Sequence, residues 1–316
     1  MIRINPVYRK ELKQTARMKK VAVLLVTFNT LLALFGLFSF FFTFDGVNYM
    51  SKSVNYSDIL IIYMIITSIE FVLILFITPG VTAGQITGER EKQTLDMLLS
   101  TTMTSYSIIR GKLFASINVM LMLSFSSLPI VAIVLSIGGI SIKEILTLIL
   151  FLIVTAIYIG SIGIFFSSLC KRSTIATVCT YTTVLIITLG LTMILMGNQF
   201  MQSISKTNIT DFITVSKASI TNFIPDSNTS EVSNSYLILL INPIFTFSSM
   251  LNDQIGIKLG SFGTWRTQYQ TTYYIFKHWF GISIVTQIVI SYILNLISGK
   301  ILQPDSIRKR KKNIVK

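Results

Sequence analysis

Six long apolar runs dominate this chain and restrict what it can fold into. A helix rises about 1.5 Å per residue, so roughly 20 apolar residues cross a hydrocarbon core about 30 Å thick. Each run has about that length, is bounded by charged or turn-forming residues, and lacks the two-residue alternation of a membrane barrel strand. The chain is therefore predicted to be an all-α, polytopic integral membrane protein with transmembrane helices at residues 21–44, 59–83, 113–137, 145–169, 175–196 and 279–301.

The composition excludes an ordinary soluble domain. Apolar side chains make up 52% of the 316 residues and charged ones only 13%, whereas about a quarter of the residues in a typical soluble protein are charged. Residues 1–316 are therefore treated as a single transmembrane domain of a multi-pass protein in the cell membrane.

Lysine and arginine predict the orientation, because cytoplasmic loops of membrane proteins are enriched in them. With a cytoplasmic N-terminus, the inside segments hold 20 of the 27 lysines and arginines. Both termini are therefore predicted to be cytoplasmic, and the net charge of +14 is interpreted as a topology signal and an attraction to anionic lipid, not as a nucleic-acid footprint. The inside segments are residues 1–20, 84–112, 170–173 and 300–316, the last of which includes the basic tail, 302–316.

The cytoplasmic connection between spans two and three, residues 84–112, is long for neighbouring helices of a bundle. A helix beginning at Thr87 as N-cap would place Glu89 and Glu91 at the positive end of its dipole. Its apolar residues then recur at the spacing of one helical face. The pattern predicts a short amphipathic helix over Gly88–Ser100, with Leu95, Leu98 and Leu99 on one side and Glu89, Gln93 and Asp96 on another.

Two interpretations of this amphipathic helix stay open. A helix that lies on lipid usually has a polar face rich in lysine and arginine. This one mixes both signs, which favours a protein partner. The charges are those of Glu89, Arg90, Glu91, Lys92 and Asp96.

Small residues recur at the end of span two. Gly80, Gly84 and Gly88 are four residues apart and would form a ridge without side chains. Such a ridge predicts a close approach to another helix.

A second amphipathic helix is predicted before span one, over residues 1–20. Asn5 followed by Pro6 is a favoured combination of N-cap and first-turn residue. A basic stripe at Arg9, Lys13, Arg17 and Lys20 would face lipid phosphates if this elbow helix lay along the membrane surface.

The segment TPGVTAGQITGEREKQTLDMLLSTTMTSYSIIRGK, Thr78 to Lys112, resembles the second-span exit and cytoplasmic coupling helix of ABC-2 type permeases, the membrane subunits of bacterial ABC exporters. The segment NPVYRKELKQTARMKK, Asn5 to Lys20, is similar to their elbow helix. The resemblance implies an ATP-driven exporter with two permease chains, identical or related, and two cytoplasmic ATPase subunits that bind ATP and Mg. It implies that the coupling helix and the elbow helix contact the ATPase. The candidate coupling residues are Gly88, Glu89, Arg90, Glu91, Thr94, Leu95, Leu98 and Leu99. The three leucines would be buried against the ATPase or against the bundle, while Glu89, Arg90 and Glu91 would make charged contacts with the partner.

Motifs that would give this chain its own chemistry are missing from the sequence. It has no G-x-x-x-x-G-K-[ST] phosphate loop, and its single histidine, His278, belongs to no catalytic or metal-binding pattern. The chain is therefore predicted to be no enzyme and to bind no metal or cofactor itself.

Glu70 is the one acid within a predicted span, where a charge is costly without a partner or a cavity. It is a candidate pathway residue that senses a cation or substrate, or it is protonated or hydrogen-bonded to Thr67, Ser68 or another helix. Two rival functions accompany it: a membrane scaffold or sensor that transports nothing, and an ion-coupled secondary transporter that uses Glu70. The apolar spans suit a hydrophobic or amphipathic cargo, such as an antimicrobial peptide, a drug or a lipid-like molecule, without specifying which.

The extracytoplasmic segment, residues 198–277, contains an apolar stretch at Tyr236–Leu251 that is too short to span. Asn242 and Pro243 would break it in the middle. A re-entrant or a surface-lying helix is predicted, and the resemblance implies short extracellular helices before span six.

Overall fold

Helices form every regular element among the residues that the computed structural model describes, which are 6–45, 56–100, 103–138, 141–193, 234–255 and 278–303. Six are long and apolar enough to cross a membrane, which confirms the predicted all-α architecture with six spans. In chain order the helices are α1 (Pro6–Arg17), α2 (Lys19–Asp45), α3 (Tyr56–Thr82), α4 (Thr87–Glu91), α5 (Leu95–Leu99), α6 (Ser105–Gly138), α7 (Ile142–Leu169), α8 (Ser173–Leu185), α9 (Pro243–Ile255) and α10 (Trp279–Ile301). The six spans are α2, α3, α6, α7, α8 and α10.

Successive spans run in opposite directions, so the bundle has two distinct ends. At one end, α1, α4 and α5 contact the starts of α2, α6 and α8 and the ends of α3, α7 and α10. We call this the elbow end. At the opposite, far end lie α9 and the start of α10.

Helix α7 lies at the centre of the bundle. Buried side chains occur along it from Leu148 to Ser168, and it packs against α3, α6, α8 and α10. The ring of Phe151 lies 5.5 Å from that of Phe71 on α3. Helix α2 is also strongly apolar, yet it lies at the periphery. Its phenylalanines at residues 35, 38, 40, 41 and 42 are exposed. A helix that is apolar all round fits both places in a membrane protein.

The apolar segment before α10 folds back into the far end. A 3₁₀ helix (Asn234–Ile241) precedes α9, and the break between them falls at Asn242. Asn242 Oδ1 accepts a hydrogen bond from Ile244 N at 2.9 Å, while the ring of Phe247 stacks on that of Phe71 at 4.6 Å. The described part of this segment therefore packs against the spans, while its re-entrant or surface-lying placement stays a prediction.

The last part of span five departs from α-helical geometry. Residues Ile186–Gly190 form a π-helix directly after α8, with wider turns closed by i to i+5 hydrogen bonds. Within it, Thr188 O accepts a hydrogen bond from Asn242 Nδ2 at 2.9 Å. Two backbone irregularities, the π turn and the break before α9, are thus joined directly.

Some predicted segments lie outside the described residues. These are residues 304–316 of the basic tail and residues 198–233 and 256–277 of the predicted extracytoplasmic segment. Their predicted locations stay predictions.

Candidate functional site

The connection between α3 and α6 lies at the elbow end and contains α4 and α5. Helical hydrogen bonding continues from α3 into it, because Ala83 N donates to Pro79 O at 2.9 Å and Gly88 N donates to Gly84 O at 2.9 Å. Span two therefore passes into α4 without an extended linker, so a displacement of α4 would be transmitted to α3.

The predicted single amphipathic helix over Gly88–Ser100 is wrong, because the backbone turns between α4 and α5. Gln93 has a φ of 57°, in the left-handed region. Gln93 N donates to Arg90 O at 3.1 Å and Thr94 N donates to Glu89 O at 2.9 Å. These two bonds form a Schellman motif, which ends a helix. Glycine usually occupies the left-handed position at the end of a helix. Because glutamine occupies it here, the end of α4 could not be recognised from the sequence.

The predicted N-cap at Thr87 is also wrong. Its Oγ1 donates to Ala83 O at 3.2 Å instead of accepting from its own helix. The first donors of α4 are satisfied by Ser167 of α7, whose Oγ accepts from Ile86 N at 2.9 Å and from Thr87 N at 3.1 Å. A cap supplied from a distant helix has no local sequence signal.

Arg90 attaches α4 to the end of α7. Its guanidinium donates to Ser168 O at 3.3 Å and also to Cys170 O. Carbonyls at a helix C-terminus lack intrahelical partners and carry partial negative charge, so a cation there is favourable. Burial raises the pKa of the neighbouring Cys170 thiol.

Glu91 makes the matching contact with the start of α8. Its carboxylate accepts from Ser173 N at 2.7 Å and from Ser173 Oγ at 2.9 Å. A negative charge at a helix N-terminus is favourable. Arg90 and Glu91 therefore hold α4 across the junction between spans four and five, although both were predicted to contact a partner protein.

A buried ion cluster holds the other side of α4. Lys112 of α6 is only 1% exposed, and its Nζ lies 3.2 Å from Glu11 Oε1 and 2.8 Å from Glu89 Oε1. The cluster joins α1, α4 and α6. Sequence reasoning missed Lys112 and Glu11, because their spacings along the chain form no pattern.

Helix α5 has one face toward the bundle and one toward solvent. Leu95 is buried against Ile109 and Leu302, and Leu99 packs at the edge of the same cluster. Leu98 is half-buried, whereas Met97 is 74% exposed. The predicted leucine side thus faces the bundle, and the exposed methionine lies opposite.

Helix α1 packs on the start of α6. Val7 is buried, and the ring of Tyr8 lies edge-on to that of Phe114 at 6.5 Å. The basic stripe points away from this contact, since all four of its residues, Arg9, Lys13, Arg17 and Lys20, are exposed. That α1 lies along a membrane surface stays a prediction.

Glu70 does not belong to this site, because it lies about 18 Å along α3 from Thr82 by helical rise. The carboxyl group is almost fully buried. Glu70 Oε1 accepts from Ser127 Oγ of α6 at 2.5 Å, while the hydroxyls of Thr67 and Ser68 donate to backbone carbonyls of their own helix. Of the alternatives predicted for it, a hydrogen bond to another helix is the one observed.

The predicted glycine ridge makes no close contact at two of its three positions among the described residues of this chain. There, a Cβ at Gly84 or Gly88 would meet no atom within 4 Å, and one at Gly80 would meet the hydroxyl of Tyr181 at 3.1 Å. The close approach is instead made by α7, where a Cβ at Gly163 would overlap Thr82 Oγ1 and lie 2.9 Å from Thr82 Cβ.

Comparison with families of known proteins gives a match over almost the whole chain. The model of the family described as ABC-2 family transporter protein matches residues 5–298. No curated protein matches the chain. The matched range contains α1, the connection with α4 and α5, and most of α10.

Proposed function

From the premise that this chain belongs to the ABC-2 family of transporter proteins, and so is a membrane transport component and not an ATPase, we propose that it is the permease subunit of an ATP-driven exporter. Cytoplasmic ATPase subunits would bind ATP and Mg, and a second permease chain, identical or related, would complete the complex. Both termini would be cytoplasmic. The cargo would be a hydrophobic or amphipathic molecule, such as an antimicrobial peptide, a drug or a lipid-like compound.

The observation that carries this proposal is the way the connection is held. Helix α4 is attached to the end of α7 through Arg90, to the start of α8 through Glu91, and to α1 and α6 through Lys112. Helix α5 packs Leu95 on the bundle and leaves Met97 exposed. A segment that is attached to these four helices, continuous with α3 and open on one side is suited to receive force from a protein and pass it to the spans.

In the proposed mechanism, closure of the ATPase dimer pushes on α5 and α4. The attached ends of α3, α6, α7 and α8 then move together, because α4 cannot shift without breaking charged and hydrogen-bonded contacts. Rigid-body motion of the spans in two permease chains would change the side from which a pathway between them is open. Cargo would follow if it binds the two states with different affinity.

Changing Met97 to aspartate is expected to weaken binding of the ATPase by about 2 kcal/mol, or roughly thirtyfold, because an exposed apolar residue at the centre of a contact would become charged. The measurement is the amount of P-loop ATPase that co-purifies with the tagged chain from native membranes.

The matched control is Thr104→Asp, which adds the same charge to the same connection. Thr104 Oγ1 accepts from Ser107 N at 3.3 Å at the start of α6, and aspartate performs this capping equally well. The control should retain the ATPase. If no P-loop ATPase co-purifies with the unmodified chain, or if M97D retains it fully, the proposal is contradicted.

Replacing both Glu89 and Glu91 by lysine is expected to uncouple transport from ATP hydrolysis. A lysine at position 89 would face the buried Lys112, and a lysine at position 91 would repel the start of α8, so both sides of α4 would detach. ATP-dependent accumulation, in inverted membrane vesicles, of the compound that co-purifies with the complex should fall to background. Normal accumulation by the double variant, with ATPase subunits bound, would count against the coupling role.

A secondary transporter is the rival that one observation favours. Glu70 Oε2 is buried and has no hydrogen-bond partner among the described residues. This oxygen is therefore free to bind a proton or a cation. This rival predicts transport that a proton or sodium ionophore abolishes in vesicles without ATP. A scaffold or sensor predicts no transport under either condition.

A further inference from the structure

A cleft of about 510 Å³ lies at the elbow end, bounded by α1, the start of α2, the end of α3, α4 and α6. This volume is within the range of small-molecule binding sites. Lys20 and Val21, where span one begins, belong to its lining. The cleft therefore lies at the level where a spanning helix passes from apolar lipid to the headgroups.

The lining of this cleft is positively charged. Four lysines against two glutamates leave a net charge of +2. Lys112 is paired with both glutamates, whereas Lys10, Lys20 and Lys92 form no salt bridge with any residue that the structure describes. Three unpaired cations around one cleft favour an anionic ligand.

Below the charges, the lining is apolar and continues along the spans. Val21 and Leu24 contribute from α2, Val81 from α3 and Val119 from α6. A free phosphate or sugar phosphate would gain nothing from this surface. An acyl chain would bury apolar area there, at about 25 cal/mol per Å².

We propose that this cleft binds an anionic phospholipid, for which phosphatidylglycerol is the probe. Its phosphate lies among Lys10, Lys20 and Lys92, and an acyl chain follows the apolar floor. Because the site includes residues of α1 and α4, the lipid would link α1 to the segment between α3 and α6. The binding itself does not depend on the proposed transport function.

The test is native mass spectrometry of the full-length chain, purified in detergent after reconstitution with phosphatidylglycerol and phosphatidylcholine in equal amounts. The unmodified chain should retain phosphatidylglycerol. The variant K10Q/K20Q/K92Q should retain roughly a hundredfold less, because each lysine near a headgroup contributes several-fold to binding. The matched control is R9Q/K13Q/R17Q, which removes the same charge from exposed residues of α1 outside the cleft and should retain lipid as the unmodified chain does.

A second variant tests the apolar part without changing charge. Val81→Trp adds bulk to the floor of the cleft and should also lower retention of phosphatidylglycerol by at least tenfold. Gel filtration shows whether each variant folds. Retention of phosphatidylglycerol is then judged on the variants that do fold.

Two competition measurements distinguish a bound lipid from a bound soluble phosphate compound. Glycerol 1-phosphate and inorganic phosphate should displace phosphatidylglycerol only at concentrations at least a hundredfold higher. Displacement by either at equal concentration would overturn the lipid assignment. Equal retention of phosphatidylcholine, or equal loss in the cleft triple variant and in its control, would overturn the site itself.

Discussion

Replacing Lys112 by methionine is expected to destabilise the folded chain by about 3–5 kcal/mol and to abolish transport. Lys112 is the only cation within the ion cluster of described residues that joins α1, α4 and α6. Methionine fills a similar volume but leaves the carboxylates of Glu11 and Glu89 partly buried without compensation. Their repulsion should separate α1 from α4. Thermal unfolding of the purified complex, followed by gel filtration, measures the stability part.

Arg110→Gln is the matched control, because Arg110 lies on the same helix, carries the same charge and is exposed. Its effect should be within about 0.5 kcal/mol, as for most surface substitutions. The triple variant K112M/E11Q/E89Q removes every charge of the cluster and should recover much of the stability, since a neutral buried cluster avoids unpaired charge. Failure of this triple variant to improve on K112M would show that the lysine contributes by packing and not by charge.

Replacing Gly163 by alanine should cost about 1–3 kcal/mol by overpacking. The added Cβ would overlap Thr82 Oγ1 and lie 2.9 Å from Thr82 Cβ and 3.3 Å from Ala83 N. The last two contacts belong to backbone or to atoms fixed to it, so a side-chain rotation alone cannot relieve the overlap. Helix α7 must move away from the end of α3, and with it Ser167, which caps α4. Lower thermal stability and weaker ATPase binding are both expected.

Gly281→Ala is the control for this substitution, because a Cβ at Gly281 in α10 would meet no atom of the described residues within 4 Å. Thr82→Ala should rescue Gly163→Ala in part, since it removes the overlapping hydroxyl but keeps the Cβ at 2.9 Å. A Gly163→Ala chain as stable as the unmodified one would mean that α3 and α7 approach each other less closely than described.

The sequence predicted the parts of this fold that depend on the bilayer as solvent and on the length of each apolar segment. Span-length apolar runs determine how many helices can cross a membrane, whatever their order in the bundle. The connection between α3 and α6 was also recognisable, because mixed charges next to a leucine pattern rarely occur in a simple loop. Its apolar side followed from the spacing of Leu95, Leu98 and Leu99, whereas the exposure of Met97 was not predicted.

The parts that sequence reasoning missed depend on contacts between distant residues. Ser167 caps α4 from 80 positions away, so no local cap was visible. Gln93 takes a left-handed conformation that glycine usually takes. Glu89 pairs with Lys112, 23 positions along the chain, and the same lysine pairs with Glu11, 101 positions away. Charged residues that looked available to a partner protein were therefore already engaged within the chain.

The π-helix in span five changes which side of the helix the residues after it face, relative to α8. The described residues after it are 191–193. One surplus residue in a helical turn rotates everything after it by about 100° around the axis. A helical-wheel projection of residues 173–193 that ignores Ile186–Gly190 would therefore assign Leu191 and Thr192 to the wrong sector. The hydrophobic periodicity of this span is meaningful only when α8 and residues 191–193 are plotted on separate helical wheels. The change between them falls at the π-helix, where Asn242 contacts Thr188.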